Sequence, residues 1–367
     1  MLNCLRLALA GLLLTLAATR ASADERFLGE QTRVPVTTVG CNATAYSQIP
    51  GHPDLFLGRQ LITTPGKSGC DGSRWQIVLY RMDWSTHAFS IVRPIITPQR
   101  IDQGRSELHS AYDPSVALYR GQHWVAFECT GDAIPTVSTC LAPFDPTRGA
   151  VDGSKVHVVV YGNRNGPTLH SASVPKLAVY RDRLYLFWSA VRMEDGVWRS
   201  VNTRGLELEL GQRAPARLWP KGLGRAARSH DPNQSVEVWS GADMFSAQEI
   251  DGVLYATSGL TRGGCLSAES RISGCYRLAL ARTTTPLGPN AFGRQLLAPD
   301  RLPTNTQEYT RFVTDPKSGL SLLGQFMPPK VGMKDNRLLP SGLQLIPLRP
   351  ELPQWQSAPP PPAPVRR

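Results

Sequence analysis

The sequence contains a long internal repeat. The segment His109–Phe127 aligns without a gap with the segment His170–Trp188, 61 positions further along the chain. In each copy a short apolar run is followed by a turn and by a second run rich in aromatic residues. A repeat of this length, built from strand-like runs separated by turn residues, is typical of a β-propeller in which each repeat forms one four-stranded blade.

Similar runs continue through the rest of the chain, and no long segment has the 3.6-residue period of a helix. The predicted fold class is therefore an all-β, five-bladed β-propeller of four-stranded antiparallel blades, with a β-sandwich as the structural alternative. A segment near Val34–Val39 is expected to pair with the last blade and close the ring. The predicted blades span approximately residues 34–104, 105–166, 167–228, 229–300 and 301–350.

The first 23 residues predict a secretory signal peptide. Arg6 supplies the positive charge, Leu7–Ala18 is apolar, and Ala21-Ser22-Ala23 has the pattern of a cleavage site. No later segment is long and apolar enough to predict a transmembrane helix. We expect a secreted or periplasmic protein after cleavage near Ala23, with the propeller over residues 24–356 and a disordered, proline-rich tail over residues 357–367.

Export would place the cysteines in an oxidising compartment, where disulfides are stable. Six cysteines remain after removal of the signal peptide, and six allow fifteen pairings. Two pairs flank equivalent hairpins in two different blades, which leaves the remaining two cysteines for each other. The predicted disulfides are Cys41–Cys70, Cys129–Cys140 and Cys265–Cys275.

The formal net charge is +11, and arginine is used far more often than lysine. Such a charge favours anionic partners, for example an acidic polysaccharide or lipopolysaccharide. A basic exported protein without an anionic partner is the alternative. Export, and the absence of a dense basic run interleaved with aromatic residues, argue against nucleic acid as a partner. We expect a monomer that binds carbohydrate.

Acidic residues at the start of the innermost strands are the candidates for chemistry, because those strands converge on the central channel. Two such carboxylates, one protonated and one ionised, are what an inverting glycosidase requires. Blade three has Ser173-Val174 where blade two has Tyr112-Asp113, so it offers no carboxylate. The candidate catalytic residues are Asp113, Asp243, Glu308 and Asp54.

Aromatic and histidine side chains near the same strand ends are candidates for substrate binding. Tyr112 and Tyr309 offer ring faces on which a pyranose can stack. His109 and His170 occupy equivalent positions of the repeat, which favours a shared packing or hydrogen-bonding role over a metal pair. We predict no metal site and no certain cofactor, and calcium in the central channel stays open as an alternative.

Three features resemble the five-bladed β-propeller glycosidases of the arabinanase, β-xylosidase and fructosidase type. Asp113-Pro114-Ser115-Val116 is similar to the Asp-Pro-Ser motif of their innermost strand. Tyr276–Arg282, followed by Thr283–Pro289, is similar to their third-strand pattern. The third feature is the count of five blades.

The resemblance implies roles for the candidate carboxylates. In that group an Asp of blade one is the general base, an Asp of blade two tunes the pKa, and a Glu of blade three is the acid. By position Asp54 would be the base and Asp113 the tuning residue. Blade three opens with Ser173-Val174-Pro175, so the role of the acid would pass to Asp243 or Glu308.

The predicted function is an exported glycoside-hydrolase-like propeller that acts on a polysaccharide or oligosaccharide at the channel mouth. The alternative is a non-catalytic propeller that binds a glycan or a protein with the same surface. A calcium-dependent nucleotidase is a third option. Two carboxylates within ~10 Å of each other in one funnel would favour hydrolysis.

Overall fold

The structure of the protein is a computed structural model. It describes residues 34–63, 70, 72–104, 106–162, 169–194, 197–209, 219–220, 235–261, 276–293, 295–297, 307–326 and 342–347. Within this part of the chain, no helical segment has the length and hydropathy of a membrane span.

The described strands form five antiparallel sheets arranged as the five blades of a β-propeller, as predicted. Blade one contains β2 (Thr44–Ile49), β3 (His52–Leu61), β4 (Trp75–Asp83) and β5 (Ala88–Ile96). Blade two contains β6 (Gln99–Ile101), β7 (Ser106–Tyr119), β8 (Gln122–Gly131), β9 (Ile134–Phe144) and β10 (His157–Val160). Short 3-10 turns at Asp102–Gly104 and Gly153–Lys155 accompany blade two.

The other three blades repeat this arrangement. Blade three contains β11 (Leu169–Tyr180), β12 (Arg183–Glu194), β13 (Val197–Glu209), β14 (Trp219–Pro220) and β15 (Val236–Ser240). Blade four contains β16 (Ala242–Ile250), β17 (Val253–Thr261), β18 (Tyr276–Thr283) and β19 (Gln295–Leu297). Blade five contains β20 (Gln307–Asp315), β21 (Gly319–Phe326), β22 (Gly342–Pro347) and the first described strand, β1 (Val34–Val36).

Strand β1 closes the ring. It pairs antiparallel with β22, with Val34 opposite Leu345, so one blade combines the two ends of the described chain. This confirms the pairing predicted for the segment near Val34–Val39. The innermost strands β2, β7, β11, β16 and β20 contact one another in that order, and β20 contacts β2. Closing the ring in this way leaves only short sheet edges.

Apolar side chains fill the spaces between neighbouring blades. Between blades three and four, Phe187 packs against Phe245 with ring centroids 4.7 Å apart. Between blades five and one, Tyr46 and Phe56 lie in one buried cluster with Leu323. Neighbouring blades cover both faces of each blade. The strand sequences are therefore continuous apolar runs rather than an alternation of apolar and polar residues.

All five innermost strands carry a β-bulge at the same register, where two residues face one residue of the next strand. At four of these bulges the first residue has a left-handed φ: 56° at Ala45, 45° at Asp113, 48° at Val174 and 56° at Met244. A left-handed valine is a costly conformation, and such bulges re-aim the neighbouring side chains. The bulge pairs are Ala45-Tyr46, Asp113-Pro114, Val174-Pro175, Met244-Phe245 and Tyr309-Thr310.

The residue after each bulge is polar or charged. Ser47 accepts a hydrogen bond from the Val116 amide at 3.2 Å, and Ser115 accepts one from the Leu177 amide at 2.9 Å. These bonds fasten β2 to β7 and β7 to β11. The five residues at this register are Ser47, Ser115, Lys176, Ser246 and Arg311.

Two of the three predicted disulfides are present. Cys41 is bonded to Cys70, and Cys129 is bonded to Cys140, with Cα atoms 5.2 and 5.9 Å apart. The second disulfide links the adjacent strands β8 and β9 of blade two, and both of its cysteines are fully buried. The predicted pair Cys265–Cys275 lies outside the described residues.

Removing the Cys129–Cys140 disulfide is expected to lower the free energy of unfolding. The bond closes a loop with a sequence separation of 11, for which a cost of about 2–4 kcal/mol is typical. The measurement is equilibrium denaturation of the Cys129→Ala/Cys140→Ala variant beside the Cys41→Ala/Cys70→Ala variant. A denaturation midpoint unchanged in the first variant would show that blade two does not depend on this bond.

Candidate active site

Six ionisable residues meet at the centre of the ring, and we call them the channel cluster. Electrostatic interactions connect its members across the blades: Lys176 interacts with residues of blades one, two and five, and Glu128 interacts with Asp243 of blade four. Side chains that interact across several blades in this way lie near the central axis. The cluster consists of Arg59 (β3), Asp113 (β7), Glu128 (β8), Lys176 (β11), Asp243 (β16) and Arg311 (β20).

Asp113 is one half of an ion pair that joins blades one and two. Its Oδ1 atom lies 3.0 Å from Nη1 of Arg59, and the two side chains are 2% and 19% exposed. An aspartate tolerates the left-handed φ of the bulge better than most residues, because its short polar side chain can hydrogen-bond locally. The sequence therefore places a carboxylate where the backbone turns it towards the channel.

An aromatic pair lies beside this ion pair. The Arg59 guanidinium is 5.0 Å from the centroid of the Trp75 ring, and Trp75 is 5.7 Å from Tyr112. Both rings are half-buried. A guanidinium over an indole is a favourable cation–π arrangement, so Trp75 helps to fix Arg59 against Asp113.

Glu128 is the carboxyl group that the sequence analysis missed. It faces Tyr112 across the β7–β8 pair, so its Cα lies at most about 9 Å from that of Asp113. Protein surrounds the Glu128 side chain densely, yet part of its surface stays accessible to solvent.

The surroundings of Glu128 favour its neutral form. Burial, followed by the negative charge of Asp113, raises the pKa of Glu128 to about 8. A hydrogen bond from the Val174 amide to Oε2, at 3.0 Å, and the charge of Arg59 act in the opposite direction. Because Oε2 accepts the amide hydrogen bond, we infer that Oε1 carries the proton near neutral pH.

Asp243 comes from the opposite side of the ring. It is 3% exposed, and its Oδ1 accepts a hydrogen bond from the Met244 amide at 2.7 Å. It precedes the bulge of β16, so it corresponds to Tyr112 of blade two, one position before Asp113. Glu308 has the same register in β20, but its side chain lies outside the described residues.

Asp54 lies elsewhere in blade one. It is on the second strand, β3, where its half-exposed carboxylate is 3.3 Å from Arg81. Five positions of an extended strand, about 17 Å, separate it from Arg59. The expectation that Asp54 begins the innermost strand is wrong, because Gly51 forms the hairpin turn between β2 and β3. The matching positions in blade one are Thr44 and Ala45.

The predicted substrate-binding residues are only partly brought together. Tyr112 lies beside the channel cluster, whereas the half-exposed His109 pairs with Asp132 at 2.8 Å. His170 and Tyr309 lie on β11 and β20, and their side chains are outside the described set. Within the described residues, no group of three or more His, Cys, Asp or Glu could hold a metal ion.

The channel cluster contains four residues that the sequence analysis did not select: Arg59, Glu128, Lys176 and Arg311. One signal could have found two of them. Lys176 interrupts an apolar run of the second aligned repeat, where the first copy has Ser115, and Glu128 directly follows the apolar run that ends the first copy at Phe127. A charge inside a predicted buried strand indicates either a special partner or a site.

The fold is shared with known glycosidases. An arabinanase from Bacillus subtilis is 10% identical with a TM-score of 0.51, over 86% of this chain and 94% of the arabinanase. An endo-arabinanase from Bacillus licheniformis is 13% identical with a TM-score of 0.50, over 85% and 94% of the two chains. A family 117 glycoside hydrolase from Zobellia galactanivorans is 10% identical with a TM-score of 0.51, over 88% and 91%.

Sequence comparison adds no relative. No model of a protein family matches the chain, and no curated protein matches it. At these identities the structural likeness concerns the fold. The chain therefore has the five-bladed β-propeller fold of the arabinanase-type glycosidases, as its sequence motifs suggested.

Proposed function

We propose that the protein is an exported glycoside hydrolase that cleaves a polysaccharide or oligosaccharide at the mouth of the channel. The observation that supports this most strongly is Glu128, a partly accessible carboxyl group whose pKa is raised to about 8. A general acid at neutral pH needs such a proton affinity. The fold shared with glycosidases adds support.

The residues of the cluster then have distinct roles. Glu128 donates the proton on Oε1 to the leaving glycosidic oxygen. Asp113, ionised beside Arg59, keeps that proton on Glu128 through its negative charge. Two similar carboxyl groups with different surroundings thereby supply one acid and one permanent charge.

The general base would come from the opposite blades. We assign this role to Asp243, whose charge reaches Glu128 and whose Oδ1 is held by the Met244 amide. Glu308, at the same register in blade five, is the second candidate. An inverting reaction needs ~6.5–9.5 Å between the acid and the base, so that a water molecule fits between them and the sugar.

A binding propeller without hydrolysis is the second candidate. The observation that favours it is the burial of Asp113 and Asp243, which are 2% and 3% exposed. Glu128 alone of these three carboxyl groups is partly accessible. In that case Arg59, Trp75 and Tyr112 would form the sugar-binding surface and the buried carboxylates would only hold Arg59 in place.

The substrate class and the location are part of the same proposal. The net charge of +11 favours an acidic polysaccharide, and the two disulfides suit secretion or the periplasm. Arabinan is a candidate for an uncharged substrate, because two of the similar structures are arabinanases. We expect the protein to act as a monomer.

The test is a screen of the purified mature protein against neutral and acidic polysaccharides, with release of reducing ends as the readout. Each substrate is assayed with and without EDTA, beside the Glu128→Gln variant. We expect at least one substrate to be cleaved by the native protein and not by the variant. Binding of a glycan without any cleavage would replace hydrolysis by the binding function.

A further inference from the structure

Trp75 and Tyr112 form an aromatic pair beside the channel cluster, and we call this pair the aromatic platform. The ring centroids are 5.7 Å apart, and the ring planes are inclined at 45° to each other. Trp75 begins β4 of blade one and Tyr112 lies on β7 of blade two, so the platform bridges two blades. Both residues are half-buried, which leaves part of each one in contact with solvent.

The platform is not part of the hydrophobic core. The described residues contain four buried apolar clusters, and neither ring belongs to them or to the partly buried side chains packed against them. Among the other described tryptophans, Trp188 and Trp239 are 1% exposed, and the half-buried Trp124 packs against a buried cluster. Core packing therefore accounts for those rings but not for Trp75 and Tyr112. Partly exposed aromatic side chains of this kind are suited to binding a ligand.

Contacts between the two blades hold the platform in place. The Trp75 amide donates a hydrogen bond to Oγ of Ser110 at 3.1 Å, which ties the start of β4 to β7. The Arg59 guanidinium lies 5.0 Å from the centroid of the Trp75 ring, and its Nη1 atom is 3.0 Å from Oδ1 of Asp113. A ligand would therefore meet rings that are already positioned, and such preorganisation lowers the entropy cost of binding.

The platform lies next to the proposed acid. Tyr112 is directly opposite Glu128 in the β7–β8 pair. Side chains of directly opposite residues project from the same face of a sheet, with their Cβ atoms about 4.5–5.5 Å apart. The tyrosine ring and the carboxyl group therefore share one face of blade two. A sugar resting on the Tyr112 ring would have the Glu128 carboxyl group beside it.

We propose that the aromatic platform binds a pyranose unit of the substrate by stacking, and that it selects pyranose glycans over furanose glycans. A pyranose chair presents several C–H bonds on one face, and these form a flat apolar patch that an indole or phenol ring can cover. A furanose ring is smaller and puckered, so it offers less flat apolar surface.

Polar groups at the edge of the platform suit the hydroxyl groups of the same sugar. The Arg59 side chain is 19% exposed, and Glu128 is partly accessible. An apolar floor with a few polar groups beside it is the usual composition of a small-molecule site. That the bound sugar is a substrate rests on the proposed function, whereas the binding itself requires no cleavage.

The test is a calorimetric titration of the mature protein in the Glu128→Gln background, where cleavage is not expected to interfere. The pyranose probes are xylotetraose, galactotetraose and tetragalacturonate, and the furanose probe is arabinotetraose. We expect at least one pyranose probe to bind more tightly than arabinotetraose. Tyr112→Leu should raise the dissociation constant of that probe about tenfold, because it removes one stacked ring.

Trp124→Leu is the matched control, because it removes a half-buried tryptophan of blade two that packs against the core. It should leave the dissociation constant unchanged, whereas Trp75→Leu should raise it and Trp75→Phe should raise it less. Each variant is measured below its own denaturation midpoint. The proposal is overturned if the pyranose probes do not bind, if arabinotetraose binds more tightly, or if Tyr112→Leu and Trp75→Leu bind as well as the parent protein.

Activity measurements separate this inference from the proposed function. On a glycan that the native protein cleaves, Tyr112→Leu should raise KM about tenfold and change kcat little, because stacking acts in the ground state and in the transition state alike. A protein that binds pyranose probes through the platform but cleaves nothing would refute the proposed function alone. Cleavage with the same KM in Tyr112→Leu would refute the role of the platform alone.

Discussion

Glu128→Gln is expected to lower kcat by about 10²–10⁴-fold on any substrate that the native protein cleaves. The amide keeps the size of the side chain and can still accept the hydrogen bond from the Val174 amide, but it has no acidic proton for the leaving oxygen. KM should change little, because the proton is needed only in the transition state. Initial rates over a range of substrate concentrations separate the two constants.

The pH dependence of the native enzyme gives a second readout of the same residue. Because Glu128 must be protonated, kcat/KM should fall as the pH rises through the pKa of about 8. A substrate with an activated leaving group needs no proton donor, and on it Glu128→Gln should lose much less activity. Equal losses on activated and ordinary substrates would show that Glu128 is not the acid.

Stability supplies a readout that requires no substrate. Folded Glu128 keeps its proton up to about pH 8, whereas the unfolded chain releases it near the ordinary value of 4.5. Folding therefore takes up a proton between these values, and the native protein should lose stability relative to Glu128→Gln as the pH rises through this range. Denaturation midpoints at several pH values, with Glu107→Gln as the control, check the sign.

The architecture could be predicted because each blade repeats one local pattern. Turn residues, apolar runs and the 61-residue offset are all visible along the chain. The repeat also singled out Asp113, since the equivalent position of the next blade is Val174. The pairing of β1 with β22 followed from the need to close the ring.

The site was less predictable, because its residues are gathered by the bulges and not by the pattern of strands. Asp113 is the first residue of the bulge in the middle of β7, whereas Asp243 precedes the bulge near the start of β16, so the two carboxylates differ by one position in register. Glu128 and Lys176 lie on strands that otherwise read as buried and apolar. Their charges become informative only when all five blades are placed around one axis.

Breaking the Arg59–Asp113 pair from the cationic side is expected to be strongly destabilising. Arg59→Met leaves the Asp113 carboxylate 2% exposed and without its partner 3.0 Å away. Loss of one member of a buried ion pair typically costs about 3–5 kcal/mol. The matched control is Arg81→Met, which removes an exposed partner of Asp54, and such surface pairs contribute about 0–1 kcal/mol.

Asp113→Asn should be milder, and it should restore part of the stability lost in Arg59→Met. Asparagine accepts the left-handed φ of 45° at this bulge and removes the charge that needs Arg59. The double variant should therefore be more stable than Arg59→Met alone, and denaturation of the four proteins gives the coupling energy. Strictly additive losses would show that the two residues do not depend on each other.

The same two variants should move the pKa of Glu128 in opposite directions. The charge of Asp113 raises that pKa and the charge of Arg59 lowers it, so Asp113→Asn lowers the alkaline limit of activity and Arg59→Met raises it. If the ion pair were purely structural, both variants would lose activity, but the pH above which activity falls would stay the same. Because stability and the pH profile respond differently to the same substitutions, together they distinguish a pair that holds two blades together from one that also sets the proton affinity of the acid.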